Sequence, residues 1–133
     1  MQHDEMIGKV QALTRLPGRG PAERAAQAVL TTLAERLPSG LADHMTAQLP
    51  RELADSVRQS ADTSGERFDL ATFAGRIAGR AGTDEDMALR EAAAVLEVLD
   101  AALAPELMDH VAGALPSDIR ELLPAGRAAE GAD

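Results

Sequence analysis

Apolar residues recur along this chain at intervals of three and four, the spacing that places them on one side of an α-helix. Between Pro21 and Leu37 the positions Ala22, Ala25, Ala26, Val29, Leu30, Leu33 and Leu37 fall on one such stripe. Gly20 and Pro21 are expected to open this helix, because a proline at the first helical position gives up only an amide that has no partner there. Pro38, Ser39 and Gly40 end it. Met6, Ile7, Val10 and Leu13 mark an earlier helix closed by Leu16, Pro17 and Gly18, and two shorter helices follow, over about Leu41 to Leu49 and Pro50 to Gln59. Ser60 to Glu66 is polar and without period, which reads as a linker.

The pattern then resumes. Asp69 is an expected N-cap for a helix carrying Leu70, Phe73, Ile77 and Ala81, stopped by Gly82. Thr83, with Asp86 three positions on, resembles a capping box and predicts the start of a long helix with Ala88, Ala92, Val95, Leu96, Leu99 and Leu103 inward. Pro105 starts a short helix with Leu107, Met108, Val111 and Leu115, and Pro116 with Asp118 starts a last one holding Ile119, Leu122 and Leu123.

Displacing the chain on itself by 66 positions superimposes much of this pattern without a gap. Ala26, Ala28, Val29, Leu30, Leu33, Leu37, Leu41, Asp43, His44, Leu49 and Pro50 fall on Ala92, Ala94, Val95, Leu96, Leu99, Leu103, Leu107, Asp109, His110, Leu115 and Pro116. Chance likeness between helices would match alanines and leucines, but not Asp-His and Leu-Pro as well. The expected fold is therefore all-α, a compact helical bundle of about eight helices built from two pseudo-repeats of four. Repeat 1 spans about 4–59, the linker 60–66 and repeat 2 about 67–123. Neither half is large enough to bury its stripe alone, so the two are expected to share one core in a single domain over 1–123. Residues 124–133 are expected to be a disordered tail. With a flexible linker, exchange of halves between two copies is also open, so a homodimer is possible.

The run from Ala25 to Leu37, the following Leu41-Ala42-Asp43-His44-Met45-Thr46-Ala47-Gln48-Leu49-Pro50 and the later echo ending at Leu123 resemble the bacterial family catalogued as domain of unknown function 2267. The likeness extends from about Met6 to Leu123 and includes the doubled layout. It implies a small helical protein and transfers no catalytic residue.

Composition narrows the chemistry. Aromatic residues make up only 2% against 45% apolar residues, and Phe68 and Phe73 are the whole aromatic set, so there is no platform for stacking bases. The net charge of −9 opposes nucleic acid and anionic membrane as partners. The excess lies in the second half, with fourteen acidic and six basic residues over 66–133, against eight and seven over 1–65. There is no cysteine, hence no disulfide, thiol nucleophile or thiolate metal site. The polar opening Met-Gln-His-Asp-Glu is unlike a secretory leader and no apolar run nears the ~20 residues of a membrane span, so a cytoplasmic setting is the expectation.

Four residues are candidates for chemistry. Asp43 and His44 recur as Asp109 and His110, and if the two short helices meet, they supply nitrogen and oxygen ligands for zinc or a similar ion. The opposing reading is that each His covers a neighbouring helix end and is repeated because the unit is. Adjacent helical residues diverge by about 100 degrees, which disfavours an Asp-His pair acting on one ion. The loop Leu16–Pro21 leads to a helix N-terminus but lacks the strand and the Lys-Ser/Thr of a phosphate loop, so it reads as a helix connection. Arg67, Arg76 and Arg80 form a basic stretch, expected as a solvated face paired with the acidic second half, with Gly75 and Gly79 allowing a neighbouring helix to approach. Ser39, Ser56, Ser60, Ser64 and Ser117 form no nucleophile elbow. Glu85 and Asp86 are accounted for by the helix dipole. The expectation is a protein-interaction or accessory module, with no cofactor and most simply no enzyme, acting on a basic or amphipathic protein partner through a groove between the repeats. The alternative is a metal-binding protein or metalloenzyme built on the Asp-His pairs.

Overall fold

The computed structural model describes residues 1–124. Among them every regular element is helical: α1 (His3–Thr14), α2 (Arg19–Arg36), α3 (Ser39–Ala47), α4 (Arg51–Ser60), α5 (Leu70–Ala81), α6 (Glu85–Ala102), α7 (Pro105–Ala114) and α8 (Ser117–Arg120). The protein is an all-α bundle of eight helices over the described residues, as the periodicity predicts. No described helix is long and apolar enough to cross a membrane. The tail expected over 124–133 lies, from residue 125 onward, outside the described residues. Helix starts recur at the spacing read from the sequence: α2, α3 and α4 begin at Arg19, Ser39 and Arg51, and α6, α7 and α8 begin at Glu85, Pro105 and Ser117.

Local chemistry explains the boundaries. Leu37 and Leu103 leave helical geometry with ψ near 150° (149° and 154°), and each is followed within two residues by a proline that cannot continue a helix. Leu49 and Leu115 are buried while the prolines after them, in extended conformation, act as N-caps of α4 and α8. The repeated Leu-Pro pair thus buries one side chain and redirects the chain. Asp69 caps α5 by accepting from the Thr72 amide, as expected. At α6 the expectation fails by one residue. The cap is Asp84, which accepts from the Met87 amide at 2.8 Å, and Thr83 instead turns its hydroxyl toward Glu91. A carboxylate accepts more strongly from the helix N-terminus than a hydroxyl does, so Asp84 takes the position. α2 begins at Arg19 rather than Pro21 and α3 at Ser39 rather than Leu41, each an extension of two residues that leaves the inward stripe unchanged.

The larger departure concerns α2. From Ala28 to Glu35 every residue is buried, so the helix has no solvent side there. It is the central rod, packed by α1, α3, α4, α5 and α6, and a helix covered on all sides is buried all round. One hydrophobic cluster runs through both repeats, from Met6 and Ile7 through Leu30, Leu33, Phe73 and Ile77 to Leu96, Leu99, Met108 and Ile119.

The segment between α4 and α5 is polar but tied down, which departs from a flexible linker. The Gly65 amide donates to the Leu37 carbonyl at 2.7 Å and the Glu66 amide to the Glu35 carbonyl at 3.0 Å. The last carbonyls of a helix have no partner within it, and this segment supplies donors to the end of α2. Gly65 has φ +68°, a left-handed turn that a glycine adopts without penalty.

Candidate functional site

α3 and α7 do pack against each other, as a metal site at the repeated Asp-His pairs requires. Ala104 at the start of α7 donates its amide to Gln48 Oε1 at 2.8 Å across that contact. Asp43, His44, Asp109 and His110 are all exposed, while Ala42, Met45, Met108 and Val111 take the inward positions. Among the described residues no three His, Asp or Glu side chains gather into a group that would hold a metal ion. His3 has a definite place in the fold. It opens α1, its Nε2 pairs with Glu23 on α2, and its Nδ1 is buried without a hydrogen-bond partner among the described residues.

The polar chemistry of the interior gathers at a carboxylate that the sequence reading did not single out. Glu35, in the last turn of α2, is 1% exposed. Arg80 on α5 forks onto it, Nη1 to Oε1 at 2.8 Å and Nη2 to Oε2 at 2.7 Å, and Arg76 one turn earlier reaches Oε1 at 3.1 Å. The Asp62 amide donates to Oε2 at 3.3 Å. Arg80 also donates to Thr32 Oγ1 at 2.8 Å, and Arg76 is shared with Glu66. Burial alone would raise the Glu35 carboxyl. The Arg80 and Asp62 hydrogen bonds, the charge of Arg80 and the Arg76 bond outweigh it and hold the carboxyl below its ordinary value. The hydrogen bond from Arg76 likewise lowers Glu66, and the return interaction holds the Arg76 guanidinium charged above its usual range.

Arg76 and Arg80 are therefore not simply a solvated face serving the acidic second half. Both cross to a buried acid in the first, and Arg76 pairs with Glu66 as well. The guanidinium of Arg76 also lies 4.3 Å from the centre of the Phe68 ring, and Phe68 stacks on Phe73 with centroids 6.4 Å apart. Gly79 does not admit a neighbouring helix, since a Cβ there would meet no atom within 4 Å; at Gly75 it would meet only the Glu85 side chain, at 3.6 Å. The available signal was Glu35 itself. An acid in the last turn of a helix opposes the dipole and sits between two core leucines, so it needs cations brought by another element.

A second buried acid has no such partners. Glu91 on α6 is 1% exposed, receives one long hydrogen bond from Thr83 Oγ1 at 3.4 Å, and is raised above the ordinary carboxyl value, first by burial.

Among the described residues the outer surface has one large apolar side chain away from the terminus that stays open: Leu13 on α1, 48% exposed. It borders a recess of about 340 Å³ closed by Ala93, Ala94 and Glu97 of α6 and by Leu122, Leu123 and Pro124. α1 and α6 belong to different repeats, so this recess lies between them.

Among curated proteins none matches the chain. A family model described as Uncharacterized conserved protein (DUF2267) matches residues 3–122, which takes in α1 through α8 and both repeats, and the chain belongs to that family.

Proposed function

We propose that the protein is a non-catalytic interaction module that receives an apolar side chain of an amphipathic helical partner in the recess between α1 and α6. The exposure of Leu13 at the rim of that recess carries the reading, since every leucine of α2 and α6 is buried or half-buried. Helix-in-groove recognition uses such an apolar seat with polar margins, and here Arg90 and Glu97 stand at the margin. The net charge of −9 favours a partner whose polar face is basic. The acid-base groups of the interior whose titration is shifted, Glu35 downward and Arg76 upward, join helices to one another, which supports a structural role for that cluster rather than a reactive one.

The test is a photo-crosslinking residue placed at Glu97 in cells, with a second protein carrying it at Arg51, which is 91% exposed on the far helix α4. The expected result is one defined intermolecular adduct from position 97, none from 51, and loss of the adduct in Leu13→Asp protein of unchanged melting temperature. Adducts of equal pattern from both positions, or an adduct indifferent to Leu13→Asp, overturn the proposal.

A further inference from the structure

A polar recess bordered by α2, α4 and α5 has a different character. Arg24, Gln27 and Thr31 stand at three- and four-residue spacing on α2, and Ser56 and Ser60 stand four apart on α4, so each set shares a helix face. Together with Ala28 and Arg80 they line a recess of about 230 Å³. The alanine is small enough to leave the space open. No Asp or Glu among the described residues lines it, although the protein carries a net charge of −9.

Thr31 is the telling residue. It is 2% exposed, and the other buried threonines, Thr14, Thr32 and Thr46, each return the hydroxyl to the carbonyl four residues back at 2.7, 2.8 and 2.7 Å. Thr31 makes no such bond, and among the described residues its hydroxyl has no partner at all. The hydroxyl is not among the fully buried unpartnered side-chain atoms, so what little of Thr31 is exposed leaves it open to solvent in the recess and available to a ligand there. The side chains of Arg24, Gln27, Ser56 and Ser60 likewise have no hydrogen bond or ion pair among the described residues. Arg80 is the exception, and usefully so. Both its terminal nitrogens are held by Glu35 and Thr32, which fixes the guanidinium in place while its Nε remains uncommitted. A cation immobilised by a buried acid loses little freedom when a ligand arrives.

We infer that this recess between α2, α4 and α5 binds a small phosphate ligand, inorganic phosphate or a phosphate monoester. Three hydroxyls, one amide and two guanidiniums on three helices offer donors from several directions. That set suits a tetrahedral dianion with three or four acceptor oxygens better than a planar carboxylate with two. The recess is separate from the one at Leu13 and stands whether or not that surface takes a protein partner.

The experiment titrates the full chain, in phosphate-free buffer, with inorganic phosphate, with glycerol phosphate and with acetate, following amide resonances and melting temperature. Saturable shifts at Arg24, Thr31, Ser56 and Ser60 with either phosphate compound, and none with acetate, are expected. Stronger binding of the ester assigns the ligand as a monoester, and equal binding assigns free phosphate. Arg24→Gln and Thr31→Val should each weaken binding tenfold or more, while Arg51→Gln leaves it unchanged. Arg24 is exposed, so its variant folds regardless, and Thr31→Val keeps the side-chain shape. Absence of saturable shifts, or binding that survives both Arg24→Gln and Thr31→Val, overturns the inference.

Discussion

Arg80 and Glu35 meet through two parallel hydrogen bonds of 2.7 and 2.8 Å, joining the C-terminal turn of the central helix to α5 of the other repeat. The carboxylate is inaccessible and the guanidinium is 30% exposed. Removing one partner leaves the other charge stranded, and for buried pairs that costs about 3–5 kcal/mol. Because Arg80 reaches solvent and Arg76 remains beside Glu35, Arg80→Met should fall at or below the bottom of that range, about 2–3 kcal/mol. Urea denaturation measures it, and the double variant Glu35→Met with Arg80→Met should recover much of the loss. A double variant as unstable as the sum of the single ones would show that the two residues act separately.

The two buried acids predict opposite pH dependences. Glu35 is lowered from 4.5, so the stability it contributes is present above that value and is lost as pH falls through its lower folded value. Glu91 is raised from 4.5, so its protonated form favours the fold at low pH and stability drains away as pH rises from 4.5 through its higher folded value. Glu91→Gln should therefore raise the melting temperature at pH 7 and flatten the decline above pH 4.5, whereas Glu35→Gln should lower it at pH 7 and reduce the loss below 4.5. Melting curves from pH 3 to 8 decide this; a Glu91→Gln protein less stable than the parent at neutral pH contradicts it.

Two glycines three residues apart, Gly79 within α5 and Gly82 just after it, should respond in opposite ways to alanine. Gly79 is helical, exposed and without a neighbour within 4 Å of a Cβ, so Gly79→Ala should stabilise by about 0.5–1 kcal/mol. Gly82 holds φ +73° where α5 ends, so Gly82→Ala should destabilise by about 1 kcal/mol or more. Chemical denaturation of the pair checks both signs.

Leu30 and Leu96 occupy equivalent places in the repeat and are both fully buried. Truncation of either to alanine should cost about 2–5 kcal/mol. Each should shift one cooperative transition, because the apolar cluster runs through both halves. Two separable transitions, each moved by only one of the variants, would show that the repeats fold independently.

Periodicity, prolines and the 66-residue echo were enough to determine the helical class, the order of the elements and most of the inward positions, because each depends on residues within a turn or two of one another. The position of α2 as a rod covered on every side was not legible, since a stripe in a sequence says which residues face inward but not how many helices surround them. The Asp-His pairs, conspicuous in the sequence, turn outward on α3 and α7 because Met45 and Met108 take the apolar contacts beside them. Glu35 forms the buried ion cluster with Arg76 and Arg80, which lie more than 40 positions from it along the chain, and Thr31 opens onto a recess made partly by serines of α4. Local hydrogen bonding and side-chain spacing act within a helix and are written in its sequence. Burial of charge and the partners of a hydroxyl depend on which helices pack together, and only the tertiary structure decides that.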